Sequence, residues 1–319
     1  MTDSSADTAR AAVTQHDVTE RNAGQRIDNF LLTLLKGVPR SRIYRLLRKG
    51  EVRVNNKRTK PEYRLCIGDR VRLPPIRDAV APAPVQVSQS LREDLEARVV
   101  ARGNGWLVID KPSGLAVHGG SGLTLGVIEA LRKAWPEENL DLVHRLDRET
   151  SGCLLIASSR AALVALQAQM RDRGIDKRYW VLVKGRWPRE LREVNAPLRK
   201  NTLSSGERMV RADVEGRPAI THFKVERQLP GHTLLEARLD TGRTHQIRVH
   251  CQLMGHPVAG DAKYGDPETN RALRGLGLRR LFLHAALLAF DDLDGQRIRC
   301  QTPLPEDLER LVARLAGAG

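Results

Sequence analysis

The residues 144–152, His-Arg-Leu-Asp-Arg-Glu-Thr-Ser-Gly, set a carboxylate, Asp147, among cations and hydroxyls in the middle of otherwise apolar sequence. A strand-like run from Cys153 to Ala157 follows at once. The polar segment therefore reads as a loop on a rigid scaffold, the usual seat of reacting groups. A carboxylate placed there can act as a nucleophile or as a base. By residue type alone other readings stay open. Asp147 also suits a turn capped with Thr150 or an ion pair with Arg148, and Asp110, Asp240 and Asp261 are rival acids. His144 could be a base, but it reads more readily as a residue that packs or orients the Asp147 loop.

Other chemistries find less support. Gly119-Gly120-Ser121-Gly122 is a flexible loop, but no Gly-Lys-Ser/Thr follows, so it does not read as a nucleotide P-loop. His245 and His250 are five apart and no His-Glu-x-x-His pattern occurs, which argues against zinc. No serine stands in a nucleophile elbow. The four cysteines, Cys66, Cys153, Cys251 and Cys300, have no C-x-x-C spacing and fit a reducing cytoplasm. Nothing indicates a metal or another cofactor. No apolar run reaches the roughly 18 to 20 residues that span a bilayer.

The elements that would position Asp147 can be read from periodicity. Apolar strands are expected at 106–109, 153–157, 179–183, 221–225 and 233–239, and helices at 159–173, 243–254 and 306–316. Without a regular βαβ alternation, this mixture predicts an α+β fold on a mostly antiparallel sheet with flanking helices. On the helix from about 243, Ile247, Cys251 and Met254 form the expected buried stripe, and Arg243 and Arg248 lie on different faces.

Upstream stands a smaller unit with a different character. The chain carries a net charge of +15. Between Arg21 and Arg77 there are 16 basic residues against four acids, a net +12 within 57 residues. Ile27, Leu31, Leu34 and Leu35 recur at helical spacing, and Pro39 breaks the chain. Ser41 can cap a second helix carrying Ile43, Leu46 and Leu47, which ends at Gly50. Short strands are expected at 51–56 and 70–73. Together these elements present Arg40, Arg42, Arg45, Arg48, Lys49, Arg53, Lys57 and Arg58. Clustered cations bind a polyanion by releasing its counterions, so the pattern points to nucleic acid. The expected organisation is a disordered leader at 1–20, the basic unit at 21–77, a Pro-rich linker at 78–96 and a large domain at 97–319.

Residues 24 to about 75 resemble the small S4-like RNA-binding domain, whose helix-turn-helix face docks on structured RNA. "HRLD" followed by "TSG" resembles the signature of the RluA-type pseudouridine synthases. Three further blocks appear in that family's order: "GWLVIDKPSGLAVHGG" (105–120), "KRYWVLVKG" (177–185) and "DTGRTHQIRVH" (240–250), followed by "LFLHA" (281–285). The likeness spans roughly residues 20 to 315 and is strongest to bacterial members acting on the large ribosomal subunit. It implies an RNA isomerase that turns uridine into pseudouridine in 23S ribosomal RNA, working as a cytoplasmic monomer without cofactor. It also implies site roles. Asp147 would be the catalytic carboxylate and Arg248 its partner. Tyr179 would stack beneath the target uracil and relay its carbon-5 proton. Leu283 would be an apolar wall, Arg145 would fill the gap left by the flipped base, and His144 and Thr244 would touch substrate. A partner arginine is a chemical requirement, because burial raises a lone carboxylate's pKa by up to ~3–5 units and a nearby guanidinium lowers it by ~1–3. The alternative is a non-enzymatic RNA-binding ribosome-assembly factor that uses the same basic surface.

Overall fold

The computed structural model describes residues 13–35, 38–75, 89–119, 126–202 and 208–317. The chain divides into two compact units, Met1–Gln86 and Val87–Gly319. The first contains β1 (Thr14–Asp17), α1 (Ile27–Leu34), α2 (Arg40–Lys49), β2 (Arg53–Val54), β3 (Lys57–Arg58) and β4 (Arg70–Leu73). Its sheet runs in the order β1-β4-β2-β3. The helical stripes of α1 and α2 close on that sheet: Ile27, Leu31, Ile43, Leu47, Val52 and Val71 are buried together. Gly50 ends α2 with φ 71°, a conformation that glycine adopts without a Cβ penalty. With the apolar residues of α2 turned inward, its cations face out. Arg40, Arg45, Arg48, Lys49, Arg53, Lys57 and Arg58 are exposed and Arg42 is half-buried.

The second unit runs through α3 (Gln89–Ala97), β5 (Val99–Gly103), β6 (Trp106–Lys111), α4 (Val127–Ala134), β7 (Asp141–Leu142), β8 (Ser151–Ala157), α5 (Arg160–Arg171) and β9 (Asp176–Lys184). It continues with β10 (Glu193–Asn195), β11 (Leu198–Thr202), β12 (Arg208–Ala212), β13 (Ile220–Leu229), β14 (His232–Leu239) and α6 (Gln246–Leu253). The last elements are α7 (Pro267–Gly275), β15 (Leu283–Asp291), β16 (Arg297–Gln301) and α8 (Glu306–Gly317). The main sheet has the order β10-β13-β14-β9-β15-β8-β6-β5, with β16 beside β15 and β7 beside β8. β15 and β8 run parallel, and the other paired strands of this sheet are antiparallel. All seven residues of β8 are buried, as befits a central strand covered on both faces. β11 and β12 form a separate hairpin.

Four expectations change. Ser41, read as the cap of the second helix, lies inside α2, which opens at Arg40 directly after Pro39. The leader at 1–20 was expected to lack structure, yet β1 pairs antiparallel with β4 from Thr14↔Leu73 to Asp17↔Arg70. Backbone pairing with an existing sheet edge orders a polar stretch that has no apolar pattern of its own. The linker at 78–96 gives way to α3, which places Leu95 at 0% exposure in the large unit's core. The helix expected at 243–254 begins only at Gln246, because His245 takes a left-handed conformation with φ 55° and ψ 22°. Arg243 is therefore on the preceding loop. The first part of the leader, most of the Pro-rich stretch and residues 120–125 of the glycine loop lie outside the described residues.

Candidate active site

Asp147 lies on the loop between β7 and β8, at one end of adjacent central strands. That loop is fastened from the side by the segment following β6. Lys111, the last residue of β6, is fully buried. Its ammonium donates to the carbonyls of Pro112 and Leu115 at 2.8 Å and of Arg148 at 3.0 Å. Burial pulls this lysine down to about 7, whereas three carbonyl acceptors match the three donors of its charged form. Ser113 Oγ donates to the Glu149 carbonyl at 2.7 Å, and Arg148 Nε to the Gly114 carbonyl at 2.8 Å. The "KPSGL" run is thus a brace for the Asp147 loop. Gly152 has φ 106°, and any Cβ there would run into the Ala285 backbone of β15. Only glycine lets the loop enter β8 beside that strand.

The alternatives left open for Asp147 resolve geometrically. Its backbone carbonyl accepts from Thr150 N–H at 3.1 Å, closing the turn and leaving the carboxylate available. Arg148 faces Gly114 and Glu149 instead. The carboxylate meets Arg248, whose Nη1 is 3.2 Å from Asp147 Oδ2. The same guanidinium forms a bidentate pair with Asp261, at 2.7 Å from Nε and 2.8 Å from Nη2. Burial opposes the Arg248 charge, but Asp261 and Asp147 outweigh it and hold the guanidinium above its ordinary value. Burial likewise opposes ionisation of Asp261, and the Arg248 hydrogen bonds hold its carboxyl below the usual range. Arg243 does not reach this cluster: its Nε donates to the Pro218 carbonyl at 3.1 Å.

A cavity of about 900 Å³ opens over Asp147. Every active-site residue nominated from sequence lines it: Asp147, Tyr179, Arg248, Arg145, His144, Thr244 and Leu283. Tyr179 on β9 and Leu283, the first residue of β15, are buried on neighbouring strands. Burial first, then the negative charge of Asp147, push the Tyr179 phenol above its ordinary value, so it stays protonated. Arg145 and Thr244 are exposed at the cavity. His144 Nε2 accepts from Leu155 N–H at 3.1 Å, and burial pulls the ring down to about 3, which makes it a neutral acceptor anchoring the loop to β8. Of the rival acids, Asp240 also lines the cavity but is bound to His222 Nε2 at 2.8 Å, and Asp261 is committed to Arg248. Asp110 is on β6, away from this lining.

Sequence reasoning did not identify Asp261 as a partner, nor His245 and Tyr264 as neighbours of Asp147. Asp261 Oδ1 accepts from Lys263 N–H at 2.8 Å and Tyr264 N–H at 3.0 Å, closing an Asx turn after Gly260. A Gly-Asp-x-x-Tyr run was the available signal. It announces a turn, however, and not the turn's contact with a distant arginine.

Residues 105–253 match the family model for RNA pseudouridylate synthase, and residues 25–71 match the S4 domain. The chain is 52% identical over 311 residues to the ribosomal large subunit pseudouridine synthase C of Escherichia coli (strain K12), covering 94% of this chain and 96% of that protein. The protein of the same name from Pasteurella multocida (strain Pm70) is 49% identical, with 95% and 94% covered. Among solved structures, human RNA pseudouridylate synthase domain containing 4 superposes with a TM-score of 0.59 at 27% identity, over 71% of this chain and 95% of that one.

Proposed function

This chain belongs to the RNA pseudouridylate synthase family, and we propose that it isomerises uridines of 23S ribosomal RNA to pseudouridine with Asp147 as the catalytic carboxylate. The observation that carries the assignment is the pairing of Asp147 with a buried guanidinium at the floor of a nucleotide-sized cavity. The reaction detaches uracil from ribose, turns it, and rejoins it through carbon 5. A carboxylate performs this by attacking the anomeric carbon or by removing the adjacent ribose proton, and either route needs a charged oxygen at the sugar. Arg248 supplies the countercharge and Asp261 fixes Arg248.

A target inside folded RNA must first be extruded from its stack, at a cost of a few kcal/mol. In this reading Arg145, at the cavity mouth, takes the vacated place. The base is received between the Tyr179 ring and the Leu283 side chain, with His144 and Thr244 beside it. A phenol held protonated stacks well and is a poor base, which favours the packing part of the Tyr179 role over its proton relay. Docking on rRNA falls to the basic S4 unit through Arg40, Arg42, Arg45, Arg48, Lys49, Arg53, Lys57 and Arg58. The enzyme acts in the cytoplasm as a monomer. The domains follow as a basic unit at 21–77, extended by the strand at 14–17, and a catalytic domain beginning at the helix from Gln89.

The test replaces Asp147 with Asn and maps pseudouridine in large-subunit RNA by chemical labelling and primer extension. We expect complete loss of the sites that the wild-type protein restores to cells lacking the gene. Full modification by Asp147→Asn would sink the assignment. The reading of a non-enzymatic assembly factor with the same basic surface predicts instead that Asp147→Asn leaves those sites unmodified yet rescues every other phenotype of the deletion.

A further inference from the structure

We propose, on the reading that Asp147 carries out the isomerisation, that His245 is a positioning residue for that carboxylate, held in its Nε2–H tautomer by Tyr264. His245 sits immediately before α6 at φ 55°, in the left-handed region that only a few per cent of non-glycine residues adopt, asparagine, aspartate and histidine more readily than the rest. Such a conformation persists where the surroundings over-determine it.

The surroundings are specific. Val210 N–H of the β11–β12 hairpin donates to the Tyr264 hydroxyl at 2.9 Å, and that hydroxyl lies 2.8 Å from His245 Nδ1. A phenol has a single proton. With Val210 occupying its oxygen as acceptor, the proton is directed to Nδ1, and the imidazole's own proton then sits on Nε2. Nε2 faces Asp147 Oδ2 at 3.9 Å. That is about 1 Å longer than a hydrogen bond, the kind of contact that tightens when substrate fills a site. The ring also remains neutral: burial above all, with the Arg248 and Lys263 charges, prevails over Asp147 and Asp261 to hold it below its ordinary value.

Neutrality matters for the chemistry. Arg248, which Asp147 shares with Asp261, already sets a positive charge against the carboxylate, and a second on His245 would over-stabilise it and blunt it as a nucleophile or base. A neutral N–H aims the oxygen without that penalty. Tyr264 braces both neighbours of Asp147, because its ring also lies beneath the Arg248 guanidinium at 5.0 Å. The phenol is fixed in turn by the small cluster of Leu198, Val210, Ala219 and Val249.

The experiment compares His245→Asn, Tyr264→Phe and the double variant of the full-length protein, in single-turnover assays on transcribed large-subunit RNA. Asparagine suits the left-handed backbone and keeps an acceptor for Tyr264, but it carries no donor as far as Nε2. Its thermal midpoint should therefore be no lower than wild type. We expect each single variant to lose roughly 10- to 100-fold in maximal rate, the scale of a misplaced reacting group, with unchanged half-saturation by RNA. The double variant should be no slower than the slower single, since Tyr264 acts through His245. His245→Gln, which restores a longer donor, should recover part of the rate. Additive losses in the double variant, or an effect confined to half-saturation, would overturn the proposal. A full rate in His245→Asn alongside an inactive Asp147→Asn would remove this inference and leave the function standing.

Discussion

Arg248 is where charge, burial and chemistry meet at the scale of single residues. It is 8% exposed and joins two carboxylates, of which Asp261 is 1% exposed. Removing one member of a buried ion pair costs about 3–5 kcal/mol, because the remaining charge is left uncompensated. Arg248→Ala should therefore unfold at markedly lower denaturant and lose activity together with its fold. Arg248→Lys separates the two effects. A single ammonium can neutralise Asp261, but it cannot reproduce the planar fork that reaches Asp261 with two nitrogens and Asp147 with a third. We expect the lysine variant to recover most of the stability in urea melts while its turnover stays down by roughly 100-fold or more, the scale of a reacting group shifted by an ångström. Wild-type turnover in Arg248→Lys would mean that charge alone, without the fork, suffices at Asp147.

At the scale of elements, the Asp147 loop owes its shape to β6 and β15, on either side of β8. Lys111 reaches from the end of β6 to three carbonyls, one of them in the loop itself. Methionine at this position fills much of the same volume but donates nothing. Each orphaned carbonyl costs on the order of 1 kcal/mol or more. Lys111→Met should therefore lose about 3 kcal/mol by chemical denaturation and slow turnover, because the loop carrying Asp147 is no longer pinned. An unchanged denaturation midpoint would show that the carbonyl cage is not a stabilising element.

At the scale of the whole molecule, His144 and His284, both buried without charge, make the fold sensitive to acid. Burial, reinforced by Lys177, holds His144 down to about 3, and burial holds His284 down to about 4. In the unfolded chain both would titrate near the ordinary value of about 6.5. Between these values the unfolded chain binds more protons than the folded one, so the histidines favour folding fully above about pH 6.5 and progressively less as pH falls. The loss approaches about 1.4 kcal/mol per pH unit for each ring. Urea melts at pH 7.5, 5.5 and 4.5 should show stability falling steeply over a range where most carboxylates are still ionised. His284→Gln should shallow the slope by about one proton. A flat profile would mean that both rings accept protons within the fold.

How much of this was legible in the sequence depends on how far each contact reaches along the chain. The β8 run from Cys153 to Ala157, the α1 and α2 stripes and the cations between Arg40 and Arg58 were readable because periodicity and residue type are local. So was the polar interruption around Asp147, and the ordered motifs supplied the family. Only the tertiary structure decided what Asp147 touches. Arg248 lies 101 positions away, and spacing alone left Arg243 open beside the favoured Arg248; His245, by turning left-handed and delaying the helix, keeps Arg243 on the preceding loop. Asp261, Tyr264 and the Val210 backbone enter the site from a turn and a hairpin with no chemical signature of their own. The cost of burying a charge or an amide strongly favours a partner for each. It does not say which one, and that choice is made where strands distant in sequence come to lie side by side.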